Sequence, residues 1–265
     1  MKRVLTALLL VPVAVYTVLF APWQIFYAVV ALVACTCFHE YARITGCFAP
    51  LGFAAGLLTM FAHDADKALL ILILTALAAM CLPMAAQDMD KAVLRSGMLV
   101  LGVLYIFGSW KTAILLHNVE YPPLHHLTAG RHWLMFGLMV NWIGDTGAYY
   151  VGRRFGRHKL APIVSPGKTW EGAAASVFVG IAFGVIYLPL AIKGTPYWVA
   201  AAFALIANVA GQFGDLAESA IKRSAGVKDS GTILPGHGGF LDRVDSTMFT
   251  LPILWALVGF LQPSS

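Results

Sequence analysis

Four carboxylates in the C-terminal third, Asp215, Glu218, Asp242 and Asp245, stand within or against apolar runs where water is scarce. Asp215, Glu218, Ser219 and Lys222 recur at i, i+3, i+4 and i+7, the spacing that gathers side chains on one face of an α-helix. Asp242 and Asp245 are one helical turn apart and open the last apolar run. An uncompensated Asp inside a bilayer costs roughly 2.5–3.5 kcal/mol on insertion scales, so this group needs counter-charges, water or metal. Hard oxygen donors on adjacent turns suit Mg2+, which takes one or two carboxylates and completes its shell with substrate phosphates. Lys222, Arg223, Lys228 and Arg243 supply charge-assisted donors for a polyphosphate. Gly236, Gly238 and Gly239 let the backbone approach it closely, and His237 among them is a phosphate donor or a general acid. Glu218 with Lys222, taken alone, reads as a helix-end ion pair.

A second constellation lies upstream. Asp145, Tyr149 and Tyr150 precede the basic stretch Gly152–Lys159, and Ser165-Pro166-Gly167-Lys168-Thr169-Trp170-Glu171-Gly172 follows. Lys168 and Thr169 in a Pro-Gly turn have the makings of a phosphate grip. Glu171 at the start of an apolar helix suits the helix dipole. Two look-alikes fail on spacing. Gly167-Lys168-Thr169 is no P-loop, because Pro162 stands where the first glycine must be. His39-Glu40 begins like a zinc-protease helix, but Arg43 occupies the place of the second histidine; Glu40 is therefore read as a helix-end or interface residue.

The elements that position these residues follow from composition. Of 265 residues 59% are hydrophobic and 12% charged, with mean hydropathy +0.77; soluble domains carry roughly 25% charged and 45–50% apolar residues. The surplus must face lipid, and the apolar runs are continuous rather than alternating, which selects helices over a barrel. The expectation is an all-α, polytopic transmembrane protein of about nine spans, near 4–20, 22–38, 48–62, 67–84, 93–116, 132–151, 172–190, 197–218 and 246–261. With a cytoplasmic N-terminus, 14 Lys and Arg fall in inner segments and only Lys67, Lys111, Arg131 and Lys193 in outer ones, as the positive-inside bias requires. Loops 152–171 and 219–245 are then both cytoplasmic. The net charge of +5 has that origin, and no nucleic-acid partner is expected. One integral membrane domain, 1–265, is expected, with hydrophobic helices over 1–130 and catalytic helices and loops over 131–265. The first run reads as a retained anchor, the four cysteines as structural thiols, and the histidine-bearing segment 117–132 as an outer surface turn.

Ser219, Lys222-Arg223, Lys228-Asp229, Pro235-Gly236-His237-Gly238-Gly239 and Asp242-Arg243-Val244-Asp245 resemble, at fixed spacing, the signature of the phosphatidate cytidylyltransferase (CDP-diacylglycerol synthase) family. Asp145, Tyr149, Ser165, Pro166, Lys168, Thr169 and Glu171 also fit, so the resemblance covers roughly 140–250; Gly167 departs where many relatives have a second lysine. The resemblance implies Mg2+-dependent transfer of CMP from CTP to phosphatidic acid, giving CDP-diacylglycerol and pyrophosphate. It implies Asp215, Asp242 and Asp245 as metal ligands, with those three and Lys222 as the catalytic group. Lys168, Thr169, Ser219, Arg223, Lys228, His237, Gly238, Gly239 and Arg243 would bind substrate, and Asp145, Tyr149, Ser165, Glu171, Glu218 and Asp229 are additional candidates. It further implies a bacterial inner-membrane location with the site facing the cytoplasm, and a homodimer is a further expectation. The rivals are a CTP-dependent polyprenol or dolichol kinase and, in a different class, a transporter; against the latter, the charges gather on one side rather than along paired broken helices.

Overall fold

The computed structural model describes residues 2–85, 89–119, 129–233 and 238–261. Continuous apolar sequence folds into helices throughout. In chain order these are α1 (Lys2–Leu19), α2 (Trp23–Thr45), α3 (Ala49–Phe61) and α4 (Ala65–Cys81), which runs into a 3-10 turn at Leu82–Ala85. Next, α5 (Met89–Gly102) continues through a π-helical stretch, Val103–Gly108, into α6 (Ser109–His117). Then come α7 (Ala129–Phe155), α8 (Trp170–Ala191), α9 (Tyr197–Ser224) and α10 (Asp245–Leu261). Every expected span falls on one of these rods, α5 to α6 counting as one.

Five helical stretches, 23–45, 65–84, 91–117, 170–191 and 197–224, are long and apolar enough to cross a membrane, while α3 and α10 are shorter. The architecture is that of an all-α multi-pass membrane protein. Its outer surface agrees. Leu70, Leu74 and Met80 on α4 and Phe178, Ile186 and Leu190 on α8 are exposed, a face that only hydrocarbon would accept without penalty. Exposed Trp170 and Tyr197 stand near opposite ends of the α8–α9 pair. The 22 residues of α8 span about 33 Å at 1.5 Å each, so both aromatics reach interfacial depth.

One hydrophobic cluster joins the two halves of the chain, with Phe26, Phe38, Tyr41, Phe107, Trp133, Phe136 and Leu251 among its buried members. The C-terminal helices α7, α8, α9 and α10 pack closely on one another. Small residues permit this. A Cβ on Gly214 of α9 would stand 2.8 Å from the Asp245 carbonyl oxygen and 3.2 Å from Phe249, so glycine there lets α9 meet the start of α10. Buried amides tie the same helices together. Asn141 Nδ2 donates to Thr250 Oγ1 (2.8 Å) and Asn208 Nδ2 to Ser176 Oγ (3.1 Å), while half-buried Gln212 donates through Nε2 to the Ala173 carbonyl of α8 (3.2 Å) and to Asn208 Oδ1 (2.9 Å). At the opposite end Lys111 Nζ donates to the carbonyls of Thr59 and Ala62, and Arg131 to that of Leu19, cations at helix C-termini where the dipole favours them.

Among the described residues, a short antiparallel hairpin interrupts the helices. β1 (Lys159–Ala161) pairs with β2 (Ser165–Thr169), Lys159 opposite Thr169 and Ala161 opposite Ser165. Sequence reading leaves this segment a loop.

Candidate functional site

The hairpin delivers Lys168 to the helices. Thr169 ends β2 and caps α8, its hydroxyl accepting from Gly172 N at 3.2 Å, which fixes the strand-to-helix corner. Glu171 takes His158 Nδ1 at 2.6 Å and also accepts from His158 N, clasping the base of the hairpin. Lys168, next to last in β2, then reaches Asp215 of α9 with Nζ 2.6 Å from Oδ2. These two line a cavity of about 490 Å3 with Asp145, Tyr149, Arg153, Thr169 and Gln212. Tyr149 Oη accepts from Arg153 Nη1 at 2.9 Å and steadies that guanidinium at the rim. Ser219 Oγ stands 3.4 Å from Asp215 Oδ1. Arg223 extends from the end of α9 to the carbonyls of Val164 in the hairpin and Val227 in the following loop.

A second cluster lies two helical turns further along α9. Lys222 Nζ is 2.5 Å from Glu218 Oε2 and 2.6 Å from Asp242 Oδ1, with little of the lysine exposed. Asp242 also accepts from Ser230 N at 3.0 Å and Gly239 N at 2.8 Å, both through Oδ2. Burial pushes the Asp242 carboxyl up, but the Lys222 ammonium and those two backbone N–H groups outweigh it and hold it below its ordinary value. Gly238 turns the loop at φ +80°, where a Cβ would sit 2.8 Å from Asp242 Oδ2, so glycine suits this corner twice over. Asp245 accepts from its neighbour Ser246 N at 2.7 Å and opens α10.

The expected catalytic residues thus separate into two groups. Asp145 and Asp245 both feel the charge of Asp215, and Asp145 that of Lys168 and Arg243 as well. Asp242 is engaged on both oxygens, and Lys222 lies between two carboxylates rather than facing the cavity. Lys228 and Asp229 are exposed beyond α9, and Ser165 pairs within the hairpin. His237, with Pro235 and Gly236, lies outside the described residues. Among the described residues no three His, Cys, Asp or Glu side chains converge closely enough to hold a metal ion alone; a cation that takes one or two carboxylates and fills its shell with phosphate oxygens needs no such trio.

Glu40 differs most from its sequence reading. Its carboxylate is completely buried and accepts from Ser230 Oγ (3.0 Å), Phe240 N (3.0 Å) and Leu241 N (2.8 Å). A residue of α2 thereby grips both flanks of the loop that carries Asp242. Asn208 and Gln212 were also overlooked. With Asp215, Ser219 and Lys222 they run i, i+4, i+7, i+11, i+14 along one face of α9, and two amides inside an apolar helix were the available signal.

The chain matches the model of the family described as "Cytidylyltransferase family" over residues 1–261. It is similar to the phosphatidate cytidylyltransferase of Staphylococcus aureus (strain COL), 47% identical over 159 residues that make up 56% of this chain and 59% of that protein. The proteins of the same name from Staphylococcus saprophyticus and Staphylococcus haemolyticus are each 40% identical over 154 residues, with the same shares covered. The match therefore spans less than two thirds of the length of these curated relatives.

Proposed function

The chain belongs to the cytidylyltransferase family, and on that premise we propose that it transfers CMP from CTP to phosphatidic acid, releasing pyrophosphate and leaving CDP-diacylglycerol. The observation that carries this reading is the cavity where Lys168 and Asp215 meet, between α7, α8 and α9, with a second cation, Arg153, at its rim. A lipid phosphate oxygen is already an anion, so no residue has to activate it. It forms a bond to the α-phosphorus of CTP while the bond to the β-phosphate oxygen breaks, the electron pair leaving on pyrophosphate. Such a transfer needs alignment and charge neutralisation more than a base.

Bound Mg2+ would supply neutralisation of the polyphosphate. The carboxylates that would hold it are Asp215 and Asp145, which line the same cavity, with Asp245 at the start of α10 within reach of the charge of Asp215. Asp242 fits poorly, because Lys222, Ser230 and Gly239 already occupy its oxygens. We assign Asp242, Lys222 and Glu218 to holding the loop, and Lys168 to the leaving phosphates, which it reaches by exchanging Asp215 for a substrate oxygen. Ser219 orients Asp215. Asn208 and Gln212, bonded to each other and to Ser176 and the Ala173 carbonyl of α8, fix the face of α9 that carries Asp215.

Nine spans with a cytoplasmic N-terminus fit the charge split, and direct the cavity to the cytoplasmic face of a bacterial inner membrane, where aqueous CTP meets the lipid headgroup. Purified protein given phosphatidate and CTP labelled in the base should pass label into the lipid phase, and an Asp215→Asn variant should pass far less at the same Mg2+ concentration. A wild-type protein that leaves all cytidine in water would reject the assignment.

A further inference from the structure

We infer that the side-chain oxygen of Gln212 tells cytosine from uracil, accepting a hydrogen bond from the 4-amino group of the CTP base inside the cavity. This rests on the CTP reading above and gives the base its place in that site. Gln212 lines the cavity from α9, one helical turn before Asp215. Its nitrogen donates to the Ala173 carbonyl of α8 at 3.2 Å and to Asn208 Oδ1 at 2.9 Å. A backbone carbonyl only accepts, so the amide cannot turn over without losing that bond. Asn208 is held in the same way. Its nitrogen donates to the Val140 carbonyl at 3.3 Å and to Ser176 Oγ at 3.1 Å, which leaves Oδ1 to receive Gln212. Two amides anchored on backbone carbonyls of α7 and α8 thus use both N–H groups of Gln212. The polar atom it can still offer the cavity is Oε1, and among the described residues no donor meets it.

A fixed acceptor selects its ligand. Cytosine carries an amino donor at C4, where uracil carries a carbonyl oxygen that would oppose Oε1 lone pair to lone pair. The rest of the cavity orients the nucleotide. Its cations, Lys168 in the hairpin and Arg153 at the rim, belong to the triphosphate. From Thr169 to Ser176 the α8 wall is seven residues, about 10 Å at 1.5 Å each. It leads from the hairpin to neutral Ala173, Ser176 and Gln212, where an uncharged ring is at home. Other acceptors there are taken. Asp145 and Asp215 go to the metal in the reading above, and the Thr169 and Ser176 hydroxyls already accept from Gly172 and Asn208.

The experiment is a cycle between one side chain and one substrate group. It compares kcat/KM for CTP and for the 2-pyrimidinone ribonucleoside triphosphate, which lacks only the 4-amino group, in wild-type enzyme and in Gln212→Met, at saturating phosphatidate and Mg2+. A ratio between two nucleotides cancels any general loss of folded enzyme. An acceptor left without its donor costs at least about tenfold, so wild-type enzyme should prefer CTP by at least about that factor and Gln212→Met should use the two nearly alike. A variant that keeps the wild-type preference, both nucleotides slowed equally, makes the amide a packing group or a partner of ribose or metal-bound water, and overturns the proposal. In unaltered enzyme, equal use of UTP or of the 2-pyrimidinone nucleotide overturns it without any variant. A wild-type enzyme that passes no cytosine label to lipid rejects the reaction instead; the same cycle read as equilibrium binding of the two nucleotides with Mg2+ then decides the base contact on its own.

Discussion

Removing the Glu40 carboxylate separates a helix-end residue from one that positions the site. Its three accepted hydrogen bonds come from Ser230, Phe240 and Leu241 at 2.8–3.0 Å, and the group is fully buried. Hydrogen bonds to a charged group contribute roughly 1.5–3 kcal/mol each, so three hold the loop by roughly 4–9 kcal/mol while it stays in place. A loop facing that loss detaches and solvates its N–H groups instead, carrying Asp242 and the start of α10 with it. Displacement by about 1 Å at reacting groups costs about 100-fold in rate. Glu40→Ala should lower kcat by about that factor. Glu40→Gln should do nearly as badly, since its amide turns an NH2 toward groups that are themselves donors. Ser230→Ala gives up one bond of three, about 1.5 kcal/mol at the low end of that range, and should lose only about tenfold. The assay is kcat and KM for CTP and for phosphatidate, with limited proteolysis of the 225–243 loop and far-UV circular dichroism on the same preparations. Faster loop cleavage with intact helicity is the expected accompaniment. Full activity in Glu40→Gln with the loop still protected would refute the reasoning, as would equal losses in Glu40→Ala and Ser230→Ala.

Three further outcomes follow from the same geometry. Asp215→Asn should raise the Mg2+ concentration needed for half-maximal rate, whereas the loss in Asp242→Asn should resist added Mg2+; titrating both variants checks the division between ligand and loop tether. The Asp242 carboxyl is held below its ordinary value, so its tether is complete above the unfolded value near ~3.9 and is lost only as pH falls through the lower folded value. Loop cleavage by an acid-tolerant protease should therefore stay level from neutral pH down to about pH 4 and rise below it. For topology, single cysteines at Lys193 and Ser224, both exposed, should react with an impermeant thiol reagent from opposite sides of intact cells, Lys193→Cys from outside; reaction from one side would remove the nine-span arrangement.

The helices were legible because apolar run length fixes a span almost without regard to context. The face of α9 was legible too. Glu218 meets Lys222 and Ser219 approaches Asp215, as spacings of four residues require. What opposes that face was not. Lys168 reaches Asp215 through a five-residue strand, too short and too rich in Pro and Gly to declare itself. The site therefore divided where periodicity predicted one cluster, Asp215 toward the hairpin and Lys222 toward Asp242. Glu40 lies 190 residues from Ser230, and no local pattern encodes which distant loop a buried carboxylate will hold. Its surroundings in sequence looked like a failed metal motif, which concealed the more telling fact that an acid inside an apolar helix must find donors.

The most direct test of the central claim uses CTP carrying one label in cytosine and another in the γ-phosphate, mixed with phosphatidate and the purified protein and followed through a single turnover. Attack at the α-phosphorus sends the cytosine label into the organic phase as CDP-diacylglycerol, while the γ-label stays in water as pyrophosphate at equal stoichiometry. That is the predicted result. Recovery of the γ-label in lipid, with cytosine wholly aqueous, would contradict it and assign the chain to phosphoryl transfer instead.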